Sequence, residues 1–99
     1  MENADRLIKA TLTDDIKTIK AIVKNYTPSE SNLLAMLWWA ARKGNVAIIS
    51  FIVNYNKTHL KFDLELDCTL KNAKIGNKQK AIDFINSIIK NSKEKNKNG

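Results

Sequence analysis

Apolar residues recur three and four positions apart along most of the chain, which places them on one face of a helix. Three lysines take the opposite face of the clearest example, a stretch centred on Ile19. Similar apolar stripes run through residues 33–43, 46–53 and 78–90. The three Gly and one Pro are largely confined to the breaks between stripes. The pattern therefore predicts an all-α protein.

Short polar breaks predict where the helices begin and end. Asp14 and Asp15 separate a short first helix from the second, since Asp is a good N-cap. Thr27, followed by Pro and two residues later by Glu, is the expected N-cap of the third helix. Gly44 ends that helix and Asn45 starts the fourth. Four helices are thus expected before residue 56.

Residues 58–67 show a different pattern, because polar and apolar residues alternate along them. Alternation favours an extended strand, but a strand without a partner is poorly stabilised. We therefore expect an extended connector near residues 58–67 that ends at an Asp67 cap. A further helical stretch is the alternative interpretation.

The last third of the chain is expected to hold two more helices and a tail. A helix over residues 68–75 is followed by a break at Gly76 and by a last helix over residues 78–90. No apolar residue occurs after position 90. Residues 1–90 are therefore predicted to form one helical domain, and residues 91–99 a disordered tail rich in Lys and Asn.

The segment 40–53 has weaker copies on both sides. Each copy consists of small residues, a Gly or Asp break and an apolar stripe. The upstream copy is shifted by 30 residues and the downstream copy, which aligns Gly76 with Gly44, by 32. A unit of about 30 residues is typical of stacked helical hairpins. Such arrays present a surface to a partner rather than carry chemistry of their own.

The middle copy resembles the ankyrin repeat family. The family pattern Leu-His-x-Ala-Ala-x-x-Gly-x is matched by residues 37–45, with Trp38 in place of His. The resemblance covers residues 4–90 as about three degenerate repeats, and the first has Asp14 in place of Gly. It implies a short solenoid of stacked antiparallel helix pairs. The segment that forms the family's projecting fingers is missing, and a generic stack of α-hairpins is the alternative.

The sequence shows no catalytic or metal-binding constellation. His59 is the only histidine and Cys68 the only cysteine, so neither a disulfide nor a Cys/His zinc site can form within the chain. We therefore expect a protein that is not an enzyme and has no cofactor. With no signal-like start and no apolar run long enough to span a bilayer, we expect a cytoplasmic location, in a host cell for an exported or viral effector.

The net charge of +7 has two interpretations. Lys, Asn and Ile make up 39 of the 99 residues, which is a bias typical of a genome rich in A and T. Only Arg6 and Arg42 are arginines, although Arg dominates specific phosphate and base contacts. Mutational bias with a gain in solubility is therefore one interpretation. Basicity selected for a partner is the other.

The ankyrin resemblance also implies where a partner would bind. The two positions between the Ala pair and the Gly face the concave side of such stacks. They are Leu12 and Thr13 in the first copy, Arg42 and Lys43 in the second, and Lys74 and Ile75 in the third. This placement implies a basic strip of Arg42, Lys43 and Lys74. Trp39 is the nearest large aromatic residue and the expected energetic anchor. Placement of Trp39 and Trp38 in the core is the alternative.

These features predict a non-catalytic protein–protein interaction module, acting as an adaptor, inhibitor or effector. Its basic concave surface would bind an acidic segment of a protein partner. The alternative is a small basic nucleic-acid-binding helical protein that uses its lysine-rich faces and tail. Self-association through the ends of the stack stays open as a third interpretation.

Overall fold

The computed structural model describes residues 2–98 of the chain and the side chains of residues 2–92. Every regular element in this part is helical, so the predicted all-α class is confirmed. The elements are α1 (Asn3–Leu12), α2 (Ile16–Val23), α3 (Glu30–Lys43), α4 (Val46–Tyr55), a π-helical turn (Asn56–Leu60), α5 (Leu66–Ile75) and α6 (Gln79–Asn98).

The helices form three consecutive pairs, and the first helix of each pair lies in one row. In this row α3 packs between α1 and α5, while α2, α4 and α6 each contact the preceding helix of their own pair. We call α1, α3 and α5 the row helices. The side-chain amide of Asn32 at the start of α3 donates to the carbonyl oxygen of Ala4 at the start of α1, at 3.3 Å. Because their starts meet, α1 and α3 run in the same direction.

The predicted apolar stripes pack into one core between the row helices and the second helices of the pairs, α2, α4 and α6. Ala40 and Ala41 of α3 are completely buried, and their small side chains let α3 approach its neighbours closely. The largest fully buried apolar side chains come from α1, α2, α3, α4 and α6: Leu7, Ile19, Leu33, Met36, Leu37, Ile48, Ile49, Ile52 and Ile85. The core thus runs through all three pairs.

Each row helix ends in the same kind of turn. The backbone N–H five residues after a buried alanine donates to that alanine's carbonyl oxygen: Asp15 to Ala10 at 2.8 Å, Asn45 to Ala40 at 2.9 Å and Lys78 to Ala73 at 3.1 Å. The residue before each donor has a left-handed backbone: Asp14 (φ 58°), Gly44 (φ 74°) and Asn77 (φ 55°). The three turns are therefore structurally equivalent.

The third turn corrects the spacing that the sequence predicts. The alignment of Gly76 with Gly44 is wrong by one residue, because Asn77 holds the left-handed position. Gly76 has a right-handed φ of −76°, so glycine is needed there for lack of space and not for a left-handed turn. A Cβ built on it would lie 2.9 Å from the carbonyl carbon of Arg42 and closer still to its oxygen. Glycine is needed here because the end of α5 approaches the backbone of α3.

Two helix starts also differ from expectation. The N-cap of α3 is Ser29, whose hydroxyl accepts a hydrogen bond from the backbone N–H of Asn32 at 3.1 Å, so the Thr27 assignment is wrong. Helix α5 begins at Leu66 and not after an Asp67 cap. In contrast, Asp15 and Asn45 cap α2 and α4 through their side chains, as the sequence predicts.

The extended connector expected near residues 58–67 is wrong for most of this segment, because only residues 61–65 lie outside the helical elements. Lys61 and Glu65, at the two ends of this short connector, have left-handed backbones (φ 63° and 49°). The π-helical turn continues α4 into this segment, and α5 takes its last residues. Asn56 is buried and fixes the connector, because its amide nitrogen donates to the carbonyl oxygen of Phe62 at 2.9 Å. The N–H of Phe62 donates in return to the amide oxygen of Asn56 at 2.9 Å. These two hydrogen bonds satisfy the backbone N–H and carbonyl of Phe62 without a neighbouring strand.

Helix α6 is described as far as Asn98 and so includes most of the tail expected at residues 91–99. The side chains after Ser92, and Gly99 itself, lie outside the described residues. The disorder of the tail stays a prediction. Among the helices described between residues 2 and 98, none has the length and apolar character that crossing a membrane requires.

Candidate functional site

The exposed ends of the row helices carry the most apolar part of the described surface. Leu12, Arg42 and Ile75 each lie two residues after the buried alanine of their helix, so they occupy equivalent positions in three neighbouring helices. Trp39 lies one turn before Arg42 on α3. We call these four residues the front face. It contains the large hydrophobic side chains that are exposed among the described residues: Leu12 (39%), Trp39 (41%) and Ile75 (66%).

Arg42 is held in place at the centre of the front face. Its guanidinium carbon lies 5.5 Å from the centroid of the Trp39 ring, within the range of a cation–π interaction. Its Nη2 donates to Oδ1 of Asn72 on α5 at 2.9 Å. Among the described side chains, none with a carboxylate comes within 4.0 Å of this guanidinium. The charge of Arg42 is thus fixed between α3 and α5 and keeps donors for an external partner.

Lys43 is the last residue of α3, and it lies beside the turn that ends α1. A carboxylate from that turn is already next to it. Its Nζ is 3.6 Å from Oδ2 of Asp14, whose Oδ1 accepts a hydrogen bond from the side chain of Asn45 at 3.1 Å. Both charged side chains are substantially exposed, so this ion pair contributes little to stability. It does reduce the positive charge that Lys43 presents.

Lys74 lies at the end of the row and not among the front-face residues. Its position is equivalent to Thr11 and Ala41, which are completely buried in α1 and α3. In those helices the next row helix covers the position, whereas none follows α5 within residues 2–98. Lys74 is accordingly exposed. No described hydrogen bond or ion pair joins it to Trp39, Arg42 or Lys43.

The two tryptophans have different surroundings. Trp38 is half-buried and packs against the core, and its indole Nε1 is buried without a hydrogen-bond partner. Trp39 lies on the surface, so its placement in the core is wrong. The structure brings Trp39 and Arg42 into contact, as the expected strip requires. The partner-binding role of Trp39, Arg42, Lys43 and Lys74 stays a prediction.

Three contributors to this face are absent from the sequence-derived strip: Leu12, Ile75 and Asn72. The sequence places Leu12 and Ile75 at concave positions but gives them no part in binding, because only the basic residues and Trp39 were assigned to the strip. The shift of 32 residues also aligns Ile75 with Lys43, whereas the structure makes it equivalent to Arg42. Asn72 has no signal of its own, since its contact with Arg42 crosses between helices.

A second candidate feature, built on the half-buried rings of Phe51 and Tyr55, lies on α4 and the π-helical turn. The rings of Phe51 and Tyr55 are 5.9 Å apart, and those of Tyr55 and His59 are 4.7 Å apart. The Nζ of Lys20 on α2 lies 5.8 Å from the Phe51 ring. We call these four residues the aromatic column. His59 thus belongs to a ring stack, and no group of metal-ligating side chains occurs among the described residues.

No protein-family model matches the chain, and neither a curated protein nor a solved structure matches it significantly. The ankyrin resemblance therefore stays a prediction.

Proposed function

We propose that this protein is a non-catalytic protein–protein interaction module, an adaptor, inhibitor or effector that binds its partner through the front face. The observation that carries this proposal is Trp39, which is 41% exposed on the middle row helix and braced by Arg42. Trp and Arg are the residue types that most often dominate the binding energy of protein interfaces. A tryptophan held on a rigid helix loses little conformational freedom when a partner covers it.

The charge of the protein supports a partner with an acidic segment. The net charge is +7, and Arg42, Lys43 and Lys74 lie on or beside the row helices. Complementary charge accelerates association and selects partners. The equivalent turns at Asp14, Gly44 and Asn77 support an ankyrin-like solenoid as the scaffold of this surface.

The proposal is tested by capture of a partner from the native source, followed by affinity measurement with variants. Trp39→Ala and Arg42→Glu should each weaken binding by about tenfold or more, as expected for interface anchors. Lys24→Glu is the matched control for charge reversal, because it reverses an exposed charge at the C-cap of α2, outside the front face. Thermal unfolding confirms that all variants fold. If both front-face variants bind the partner with unchanged affinity, the proposal is wrong.

The aromatic column favours a second candidate, the binding of single-stranded nucleic acid. Such sites combine aromatic rings, on which bases stack, with cations that follow the backbone, and the column has both types of residue side by side. Binding of a fluorescent single-stranded oligonucleotide should then fall steeply between about 50 and 200 mM salt. Oligonucleotide binding should also be lost in the Tyr55→Ala and Lys20→Glu variants. Absence of binding at low salt would exclude this candidate.

A further inference from the structure

The front face is more apolar than the basic strip that the sequence implies. At the position where α3 has Arg42, α1 has Leu12 and α5 has Ile75, which is the most exposed of the three large hydrophobic side chains. Lys74 is one residue away, at the end of the row. Three exposed apolar side chains thus lie on three adjacent row helices, and Arg42 on the middle helix is held by Trp39 and Asn72.

The basic residues near this face are poorly placed to hold an acidic tract. Lys43 already has Asp14 at 3.6 Å, and Lys74 occupies the position that Ala41 has in α3. An exposed lysine–carboxylate pair contributes little binding energy, because water and salt screen it. Covering the exposed parts of Leu12, Trp39 and Ile75 removes apolar area from water, which is the larger driving force.

We infer that the front face binds an amphipathic peptide segment of the partner, with apolar side chains that cover Leu12, Trp39 and Ile75 and one carboxylate that pairs with Arg42. This inference rests on the proposed function and specifies the chemistry of the partner. The guanidinium of Arg42 uses one donor on Asn72 and keeps others for a carboxylate. An Arg–carboxylate pair adds orientation as well as energy because it forms two parallel hydrogen bonds.

The spacing of the row helices sets the length of the segment. Packed helices lie about 8–10 Å apart, so Leu12 and Ile75, on the outer helices of the row, are separated by roughly 20 Å. A helix of about 13 residues spans that distance at 1.5 Å per residue. An extended chain of about six residues also spans it. A probe of about 16 residues is therefore long enough for either conformation.

The test uses a displayed library of random peptides of about this length, selected on the full chain with Trp39→Ala as the counter-selection protein. Affinities of the selected peptides are then measured by fluorescence anisotropy at low and high salt. Two double variants separate the contributions: Leu12→Ser with Ile75→Ser removes the apolar ends, and Lys43→Glu with Lys74→Glu reverses the flanking charges. Circular dichroism shows that both variants remain folded.

The expected peptides combine two or three apolar residues with one Asp or Glu. Their Kd should rise about tenfold or more with the apolar double variant, because it removes the exposed apolar area that the peptide would cover. It should change by less than about threefold with the charge-reversed variant, as weak surface pairs imply. Arg42→Gln should weaken only the peptides that contain a carboxylate.

Other outcomes contradict the inference in distinguishable ways. Acidic tracts that respond to Lys43→Glu and Lys74→Glu, but not to the loss of Leu12 and Ile75, would overturn the inference and leave the proposed function standing. Recovery of no Trp39-dependent peptide would overturn both. A dimer in sedimentation that becomes a monomer in the apolar double variant would identify a second copy of this chain as the occupant, against the inference.

Discussion

Replacement of Gly76 with alanine tests how the third helix pair docks on the second. The new Cβ would lie 2.9 Å from the carbonyl carbon of Arg42, and closer still to the oxygen, whereas carbon atoms pack at about 3.5–4.0 Å. Helices α3 and α5 must therefore separate by half an ångström or more. Overpacking costs about 1–3 kcal/mol. We expect the upper end, about 3 kcal/mol, because the group in the way is backbone and cannot rotate aside.

This loss is measurable by chemical denaturation followed by tryptophan fluorescence. For a domain of this size it corresponds to a melting temperature lower by roughly 12–24 °C. Asn77 supplies the matched controls, since its φ of 55° favours glycine. Asn77→Gly should change the free energy of unfolding by less than about 0.5 kcal/mol, whereas Asn77→Ala should cost about 1–2 kcal/mol.

The opposite pattern would refute this reasoning. If Gly76 held the left-handed position, as the sequence alignment with Gly44 implies, Gly76→Asn would be tolerated because Asn adopts that conformation readily. A Gly76→Asn variant as stable as the wild type, together with an Asn77→Ala variant that loses no stability, would show that Gly76 and not Asn77 holds the left-handed position.

Three further predictions concern the helix starts and the connector. Ser29→Ala should lower the free energy of unfolding by about 1 kcal/mol through loss of the α3 cap, whereas Thr27→Ala should leave it nearly unchanged. Asn56→Ala should cost about 2 kcal/mol, because it removes two hydrogen bonds to the connector, and exposed Asn54→Ala is its control; urea unfolding measures both. Hydrogen bonds from the Thr18 hydroxyl and N–H lower the pKa of Asp15 below 3.8. Its ionised form therefore stabilises the fold above that pH, and the contribution is lost as the pH falls through the lower folded pKa. In the Asp15→Asn variant, the free energy of unfolding should change less between pH values above and below 3.8 than it does in the wild type. The same pH dependence in both proteins would contradict this cause.

Features that depend on neighbouring residues were predictable from the sequence. The apolar spacing around Ile19 gave α2, because helical periodicity is a local signal. The caps at Asp15 and Asn45 and the left-handed end at Gly44 followed in the same way. Each of these features is decided within about one turn of helix.

The front face depends on contacts between helices, and the sequence located only part of it. Glycine is the commonest residue at a helix end, which led to the wrong equivalence of Gly76 with Gly44. The actual reason for Gly76 is the backbone of Arg42, more than thirty residues earlier in the chain. With that equivalence wrong by one residue, Lys74 was aligned with Arg42, and Ile75 was aligned with Lys43 and given no part in the strip.

The prediction for the connector was wrong for a similar reason. Alternation over residues 58–67 is a strand signal, but no strand occurs among the described residues to pair with it. The buried side chain of Asn56 supplies the missing hydrogen bonds through Phe62, six residues away. A polar side chain that replaces a strand partner has no periodic signature.

The most direct test of the front face as the docking site is a nuclear magnetic resonance titration of the labelled full chain with the tightest selected peptide. We expect the largest amide shifts at the ends of α1, α3 and α5, around Leu12, Trp39 and Ile75. The indole N–H of Trp39 should shift with the same affinity that anisotropy gives. Shifts confined to the aromatic column, with the ends of the row helices unchanged, would contradict it.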